Sequence, residues 1–167
     1  MSEQIFEPVT AAPATVDPRQ FRNTLGQFAS GVVVIGTDYQ GETHGMTANA
    51  FMSGSMSPPL VIVSVDKRAR MHSYLKISGS YSVSVLANDQ EIMSRHFAGQ
   101  PQAEHPVRFL RQHGQPVLEG AAAWITTNIV NQVDCGDHTL FIGQVTGMNC
   151  SPECGVLGFH RGQYFCR

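Results

Sequence analysis

The chain has 167 residues, of which 42% are hydrophobic and 14% charged, which suits one domain with a packed core and excludes a disordered or heavily solvated chain. Its formal net charge of −2 offers no field for nucleic acid. No apolar run approaches the roughly 20 residues that span a bilayer, and the leading MSEQIFEPVTAAPATVDP has neither the basic nor the apolar region of a secretory signal. A cytoplasmic protein is expected, with no membrane or nucleic-acid partner, and its sparse charge suggests a surface partly covered by a second subunit.

Residues 1–16 read as an irregular arm and 17–167 as one domain. Asp17-Pro18 is a good helix start, and Phe21, Leu25 and Phe28 follow at i, i+4 and i+7 on one apolar face that stops at Gly31. VVVIGT is a strand, DYQGE a turn and THGMTANAF a second strand. After Pro58-Pro59, LVIVSV is apolar enough to be a strand buried on both faces. Arg70 to Ser78 reads as a short helix ended by Gly79, and YSVSVL alternates as a half-buried strand. Asn88 and Glu91 form a capping-box pattern before a helix through Phe97, and AGQPQAEHP is a loop. From residue 121 on, AAWITTNIV, HTLFIGQVTGM, VLGFH and QYFCR are strands separated by turns. Helices do not alternate with strands, so a mainly β, mostly antiparallel barrel with a few peripheral helices fits better than a doubly wound sheet.

Familiar motifs are absent. There is no G-x-G-x-x-G, no G-x-x-x-x-G-K-[ST], no G-x-S-x-G and no H-E-x-x-H. If the chain is an enzyme, a bound organic group carries the chemistry. Cys135, Cys150, Cys154 and Cys166 read as thiols; Cys150, Cys154, His160 and Cys166 lack a zinc spacing, so no metal is expected.

Several polar positions admit two readings. Thr47, Asn49, Ser53, Ser55 and Ser57 are either a strand end with local backbone bonds or a polar lip for a planar heterocycle. Lys67, Arg68 and Arg70 are either a solvated loop or, where an apolar strand emerges, a phosphate anchor. Arg95 and His96 in SRHFAG suit a negative helix end. His138 in GDHTLFIG is an exposed turn residue or a ligand contact at a strand mouth, and Phe97 and Tyr164 are core rings or walls for a flat ligand.

In this order, FASGVVVIGT, GMTANAFMSGSMSPPLVIVSVDKRAR, SGSYSVSVLANDQEIMSRHFAG, GDHTLFIGQV and FHRGQY resemble the short flavin reductase family over about residues 18–167. The resemblance implies a homodimer of six-stranded antiparallel split barrels of Greek-key type (the FMN-binding split barrel). It also implies reduction of FMN or FAD by NADH or NADPH, commonly for a separate monooxygenase. By the same resemblance Thr47, Ala48 and Asn49 lie along the flavin ring, Ser53 and Ser55 face its ribityl chain or phosphate, and Asp66, Lys67 and Arg68 form the phosphate end. Leu86, Ala87 and Asn88 supply backbone beside the ring, Arg95, Phe97 and Tyr164 contact the flavin, and His138 is catalytic on the nicotinamide side. The cysteine pair in NCSPEC has no counterpart in the family pattern. The rival readings are a flavin-retaining reductase of a corrinoid or quinone, and a non-catalytic flavin- or haem-binding module.

Overall fold

The computed structural model describes residues 16–101 and 104–166. The irregular arm expected over 1–16 therefore lies, up to residue 15, outside the described residues. Helix α1 (Pro18–Leu25) begins at Asp17, whose carboxylate accepts the Gln20 amide at 2.6 Å. The expected apolar face forms but is not covered: Phe21, Leu25 and Phe28 are 55%, 57% and 81% exposed.

The strands are β1 (Ser30–Gly31), β2 (Val33–Tyr39), β3 (Glu42–Ala48), β4 (Phe51–Met56), β5 (Pro59–Asp66) and β6 (Ser80–Val85). They continue with β7 (Phe109–Gln112), β8 (Gln115–Leu118), β9 (Ala123–Cys135), β10 (His138–Cys150), β11 (Leu157–His160) and β12 (Gln163–Cys166). Helices α2 (Arg70–Ser78) and α3 (Glu91–Phe97) interrupt them. The protein is thus mainly β with a few helices, as expected.

The six-stranded barrel is corrected. The main sheet has seven strands in the order β3-β2-β6-β9-β10-β5-β4, with a three-stranded sheet β1-β11-β12 and a β7-β8 hairpin beside it. No ladder joins the edges β3 and β4, although only Asn49 and Ala50 separate them in the chain. The physical reason is that β3 is flanked by α3, where Thr47 Oγ1 donates to the Ser94 carbonyl at 2.6 Å. The sheet curls round one core without closing. Val33, Ile35, Val63, Val83 and Phe141 meet Met71 and Leu75 of α2 there.

A second core joins Val32, Val34, Leu86, Leu118 and Leu157. Strand β2 runs between the two cores, which is why VVVI is apolar at every position and fully buried. Strand β5, expected to be buried on both faces, buries only Val61, Val63 and Val65; Leu60, Ile62, Ser64 and Asp66 on its other face are partly exposed.

The capping box is also corrected. Residue Gln90 caps α3, and its side-chain oxygen accepts the Ala87 amide at 3.0 Å. Asn88 stays outside because its own amide is bonded to Gly155 O and its carbonyl accepts the Cys166 thiol. The β7-β8 hairpin was not read from the sequence. It turns at His113-Gly114, both in the left-handed region with φ of 48° and 79°.

Candidate functional site

Two neighbouring hollows open between β3, α3, α1 and the β11-β12 turn. The smaller, about 210 Å³, is walled by Thr47, Ala48, Asn49, Ser94, Phe159 and Tyr164. The larger, about 650 Å³, is bordered by α1 and by Arg161-Gly162. Asn49 and Phe159 line both, so the two adjoin and together make up the cleft.

The walls are held by a chain of hydrogen bonds. Thr47 Oγ1 donates to the carbonyl of Ser94, whose own hydroxyl lies 2.9 Å from the Tyr164 hydroxyl. The Tyr164 ring meets Phe159 edge to face at 5.2 Å, and the Arg95 guanidinium sits 5.1 Å from its centroid. Arg95 is held in turn by Glu91 one helical turn earlier, at 2.9 Å and 2.6 Å through Nε and Nη2. The Asn49 side-chain amide has no partner among the described residues. The result is an aromatic wall, a small-residue floor at Ala48, a free amide and a cation at the rim. That set fits a planar polar ring, and it leaves room beside the ring for a second group.

Asp66, Lys67, Arg68 and His138 gather in a second cluster. His138 stands opposite Asp66 in the β10-β5 register, and the Lys67 amide donates to Asp137 O at 3.0 Å. Both cations are already engaged. Lys67 Nζ reaches Gly136 O at 3.0 Å and Asp134 at 3.3 Å, and Arg68 bonds Asp66 through Nε and Nη2 at 3.1 Å and 2.7 Å. The hydrogen bonds from the Arg68 side chain and amide hold the Asp66 carboxyl well below the usual carboxylate range. His138 Nδ1 lies 2.8 Å from Asp137 Oδ1, and that bond lowers the Asp137 pKa. The carbonyl of Ala50, next to Asn49, accepts the Ser64 amide two residues before Asp66, so β5 links this cluster to the cleft.

The remaining expected positions fall elsewhere. Leu86 and Ala87 are buried, and Leu86 bonds Val32 O and the Leu157 amide through its backbone. Ser53 and Ser55 lie on β4 either side of a bulge at Gly54, and Ser55 Oγ accepts the Ser57 amide at 3.2 Å. Phe97 does not wall the cleft. It packs under Gly45 and lines a separate 210 Å³ pocket with His44, Arg70 and Tyr74. Sequence reasoning missed Ser94 and Phe159, although both stand inside the motifs SRHFAG and FHRGQY; their neighbours drew attention because they carry charge or a conspicuous ring.

A cleft with one aromatic wall and one amide-bearing wall, set at the open edge of a curled antiparallel sheet, has the shape and chemistry to fit a flat heterocycle. The chain belongs to the flavin reductase like domain family, whose model matches residues 25–166. It is 45% identical to an NADH-dependent flavin reductase of Rhodococcus over 133 residues, covering 78% of this chain and 76% of that one. The flavin reductase PheA2 in its native state superposes with a TM-score of 0.87 at 46% identity, over 90% of this chain and 97% of that one. The styrene monooxygenase flavin reductase of Pseudomonas putida S12 superposes with a TM-score of 0.82 at 36% identity, covering 88% and 96%.

Proposed function

We propose that this chain is an NADH-dependent flavin reductase that supplies reduced flavin to a separate monooxygenase. The observation that carries the reading is the cleft in which Thr47, Ala48 and Asn49 face Phe159 and Tyr164 under Arg95. When bound, flavin accepts hydride at N5 from nicotinamide C4, so the chain's task is to hold two rings in contact. Thr47-Asn49 supply the floor and Tyr164 the wall. Arg95 stands where negative charge on the reduced ring would be stabilised. Lys67 and Arg68 serve the phosphate end, with Ser53 and Ser55 along the ribityl path; a phosphate there competes with Asp134 and Asp66 for the two cations. Buried Leu86 and Ala87, followed by exposed Asn88, act as a connector behind the cleft, and Phe97 supports its floor from below. His138, with Nδ1 turned to Asp137, offers Nε2 to the nicotinamide.

Flavin is handed on after reduction, as substrate. A Kd of about 1 μM and association at about 10⁷ M⁻¹s⁻¹ give escape near 10 s⁻¹, comparable with ordinary turnover, whereas nanomolar binding would hold it far longer. Anaerobic mixing with NADH tests the reading: bleaching of FMN or FAD with many turnovers supports it. A stoichiometric flavin that survives gel filtration and bleaches once favours a flavin-retaining reductase, and no bleaching with NADH or NADPH removes the enzyme reading.

The functional unit is a homodimer. Met52, Ile62 and Ile142 stand in register across β4, β5 and β10, with Leu140 and Val133 beside them. This outer stripe is only partly covered, Met52 and Val133 being 59% and 43% exposed. A second copy would bury it; a stable obligate pair removes more than about 2,000 Å² in total. Replacing Ile62 and Ile142 by Asp should yield an 18.2 kDa species in sedimentation. A wild-type chain that sediments as an active monomer contradicts the dimer.

A further inference from the structure

The Lys67 ammonium has three N–H donors. Among the described residues two of them are taken, by Gly136 O at 3.0 Å and by Asp134 Oδ2 at 3.3 Å. The third is left for a ligand oxygen. A phosphate that takes it shares one nitrogen with the Asp134 carboxylate, so two anions are brought close together and repel.

Asp134 cannot swing aside without loss. Its Oδ1 accepts the Thr139 hydroxyl at 2.9 Å, and that hydroxyl lies 2.9 Å from His72 Nε2 on α2. Thr139 is 2% exposed, so turning Asp134 away would strand a buried hydroxyl proton. A chain of side chains that begins in α2 thereby fixes the carboxylate beside Lys67.

Asp66, which pairs with the other cation, is differently placed. It accepts the Arg68 amide at 2.8 Å as well as the guanidinium, so it shapes the turn after β5. The Asp134 carboxylate bonds the side chains of Thr139 and Lys67 and, among the described residues, no amide of its own turn. Its charge is the main thing it adds to the cluster. Asp137, bonded to His138, also bears on Arg68, so three carboxylates face the two permanent cations Lys67 and Arg68. That balance weakens any hold on phosphate.

We propose that Asp134 is a specificity-determining residue that acts through Lys67, an internal anionic competitor that keeps a phosphorylated flavin exchangeable. The proposal rests on the reductase reading, which supplies the flavin and makes Lys67 its phosphate end. It gives a physical reason for a cation cluster to release its ligand. The preference for phosphorylated over unphosphorylated flavin is then set in part by the β9-β10 turn, through a residue bonded to α2.

The test titrates the full chain with FMN, FAD and riboflavin, without nicotinamide, in the wild type, D134N, K67Q and D134N/K67Q. D134N keeps an acceptor for Thr139 and removes the charge, at a side chain 76% exposed. It should bind FMN or FAD about three- to tenfold tighter than the wild type at low salt, with a matching fall in the dissociation rate and riboflavin unchanged. The gain should shrink in about 1 M salt, where the screening length is about 3 Å. It should vanish in the K67Q background, an outcome that a merely structural Asp134 would not produce. Equal changes for riboflavin and the phosphorylated flavins, or a gain that survives K67Q, overturn the proposal. Weaker FMN binding in D134N does so too, since Asp134 would then be a support that holds Lys67 in place. Should D134N melt early, D134S measured in the same way carries the decision. If all three flavins bind and D134N changes none, the reductase reading stands and Asp134 has no part in it; if no flavin binds and none is reduced with NADH, both fall.

Discussion

Gly45 lies so close to Phe97 that a methyl group on it would stand 2.5 Å from Cε1 and 2.6 Å from Cδ1 of the ring. This contact seats the end of α3 on β3, and with it Ser94 and Arg95 beside Thr47. Behind Phe97 stands Phe109, with ring centroids 5.7 Å apart, so the ring has little room to retreat. Gly45→Ala should therefore cost roughly 1–3 kcal/mol by overpacking and raise the KM for flavin. Adding Phe97→Leu should restore part of the stability, a coupling readable in a urea double-mutant cycle. Additive losses would show that the contact does not hold the helix.

The bond from Thr47 to the Ser94 carbonyl gives a second prediction. Thr47→Val keeps the shape of the side chain and removes the donor, leaving a carbonyl of a buried residue without that partner. Because the Ser94 carbonyl keeps the Ala98 amide, the expected cost is that of one ordinary hydrogen bond, about 0.5–1.5 kcal/mol in thermal or urea unfolding, with weaker flavin binding, and Thr47→Ser should recover most of both. If Ser and Val behave alike, the hydroxyl is idle.

The legible parts of the sequence were those with a local cause. The Asp17-Pro18 start of α1 and the bounds Arg70–Ser78 of α2, with Gly79 at φ 68°, follow from capping and left-handed geometry within a few residues. The layout of the sheet was not legible in this way. Strand β2 serves two cores because α2 and the β1-β11-β12 sheet lie on opposite sides of it, a tertiary fact that periodicity does not contain. Strand β5 is the converse: its apolar outer face looks buried in sequence and is partly exposed in the single chain. Of the site, Thr47, Ala48, Asn49 and Tyr164 come together, while Lys67, Arg68 and His138 form a neighbouring cluster whose carboxylate partners lie far along the chain or depend on turn geometry. Asp134 is such a partner, brought to Lys67 by the β9-β10 turn.

Acid should loosen the protein in a predictable window. His72 Nε2 lies 2.9 Å from Thr139 Oγ1, which donates its own proton to Asp134 Oδ1 at 2.9 Å, so the imidazole is the donor. Burial, and then the Lys76 charge, lower the His72 pKa below the ordinary value of about 6.5. Between the folded and ordinary values the unfolded chain binds the extra proton, so stability falls as pH drops below about 6.5. Asp134, lowered first by the Thr139 bond, adds a further loss only once pH falls beneath the ordinary carboxylate range. His72→Gln keeps a donor and removes the titration. Melts from pH 8 to 5 should slope downward in the wild type and run flatter in the variant; parallel curves would assign the acid sensitivity to other groups.

The last prediction separates His138 from the flavin. Its Nδ1 is turned to Asp137 and its ring is 40% exposed, while the Lys67 amide and Asp66 hold the strand mouth on which it stands. Neither hollow is lined by His138. On the proposed reading, a hydrogen bond to the nicotinamide is the contribution to be lost. His138→Ala should lower kcat/KM for NADH by about two- to tenfold, the scale of one ordinary hydrogen bond, with the flavin Kd nearly unchanged. Asp137→Asn should produce a smaller drop in the same parameter, because it only disturbs the tautomer and orientation of the ring. Lys67→Ala is the informative contrast, since Lys67 bonds Gly136 O and Asp134 at the turn that carries His138. It should weaken FMN more than riboflavin if the ammonium meets a phosphate. If it instead reproduces the His138→Ala profile, Lys67 serves only to hold the turn. A His138→Ala protein with unaltered NADH kinetics and a weakened flavin would reverse the assignment of the two substrates.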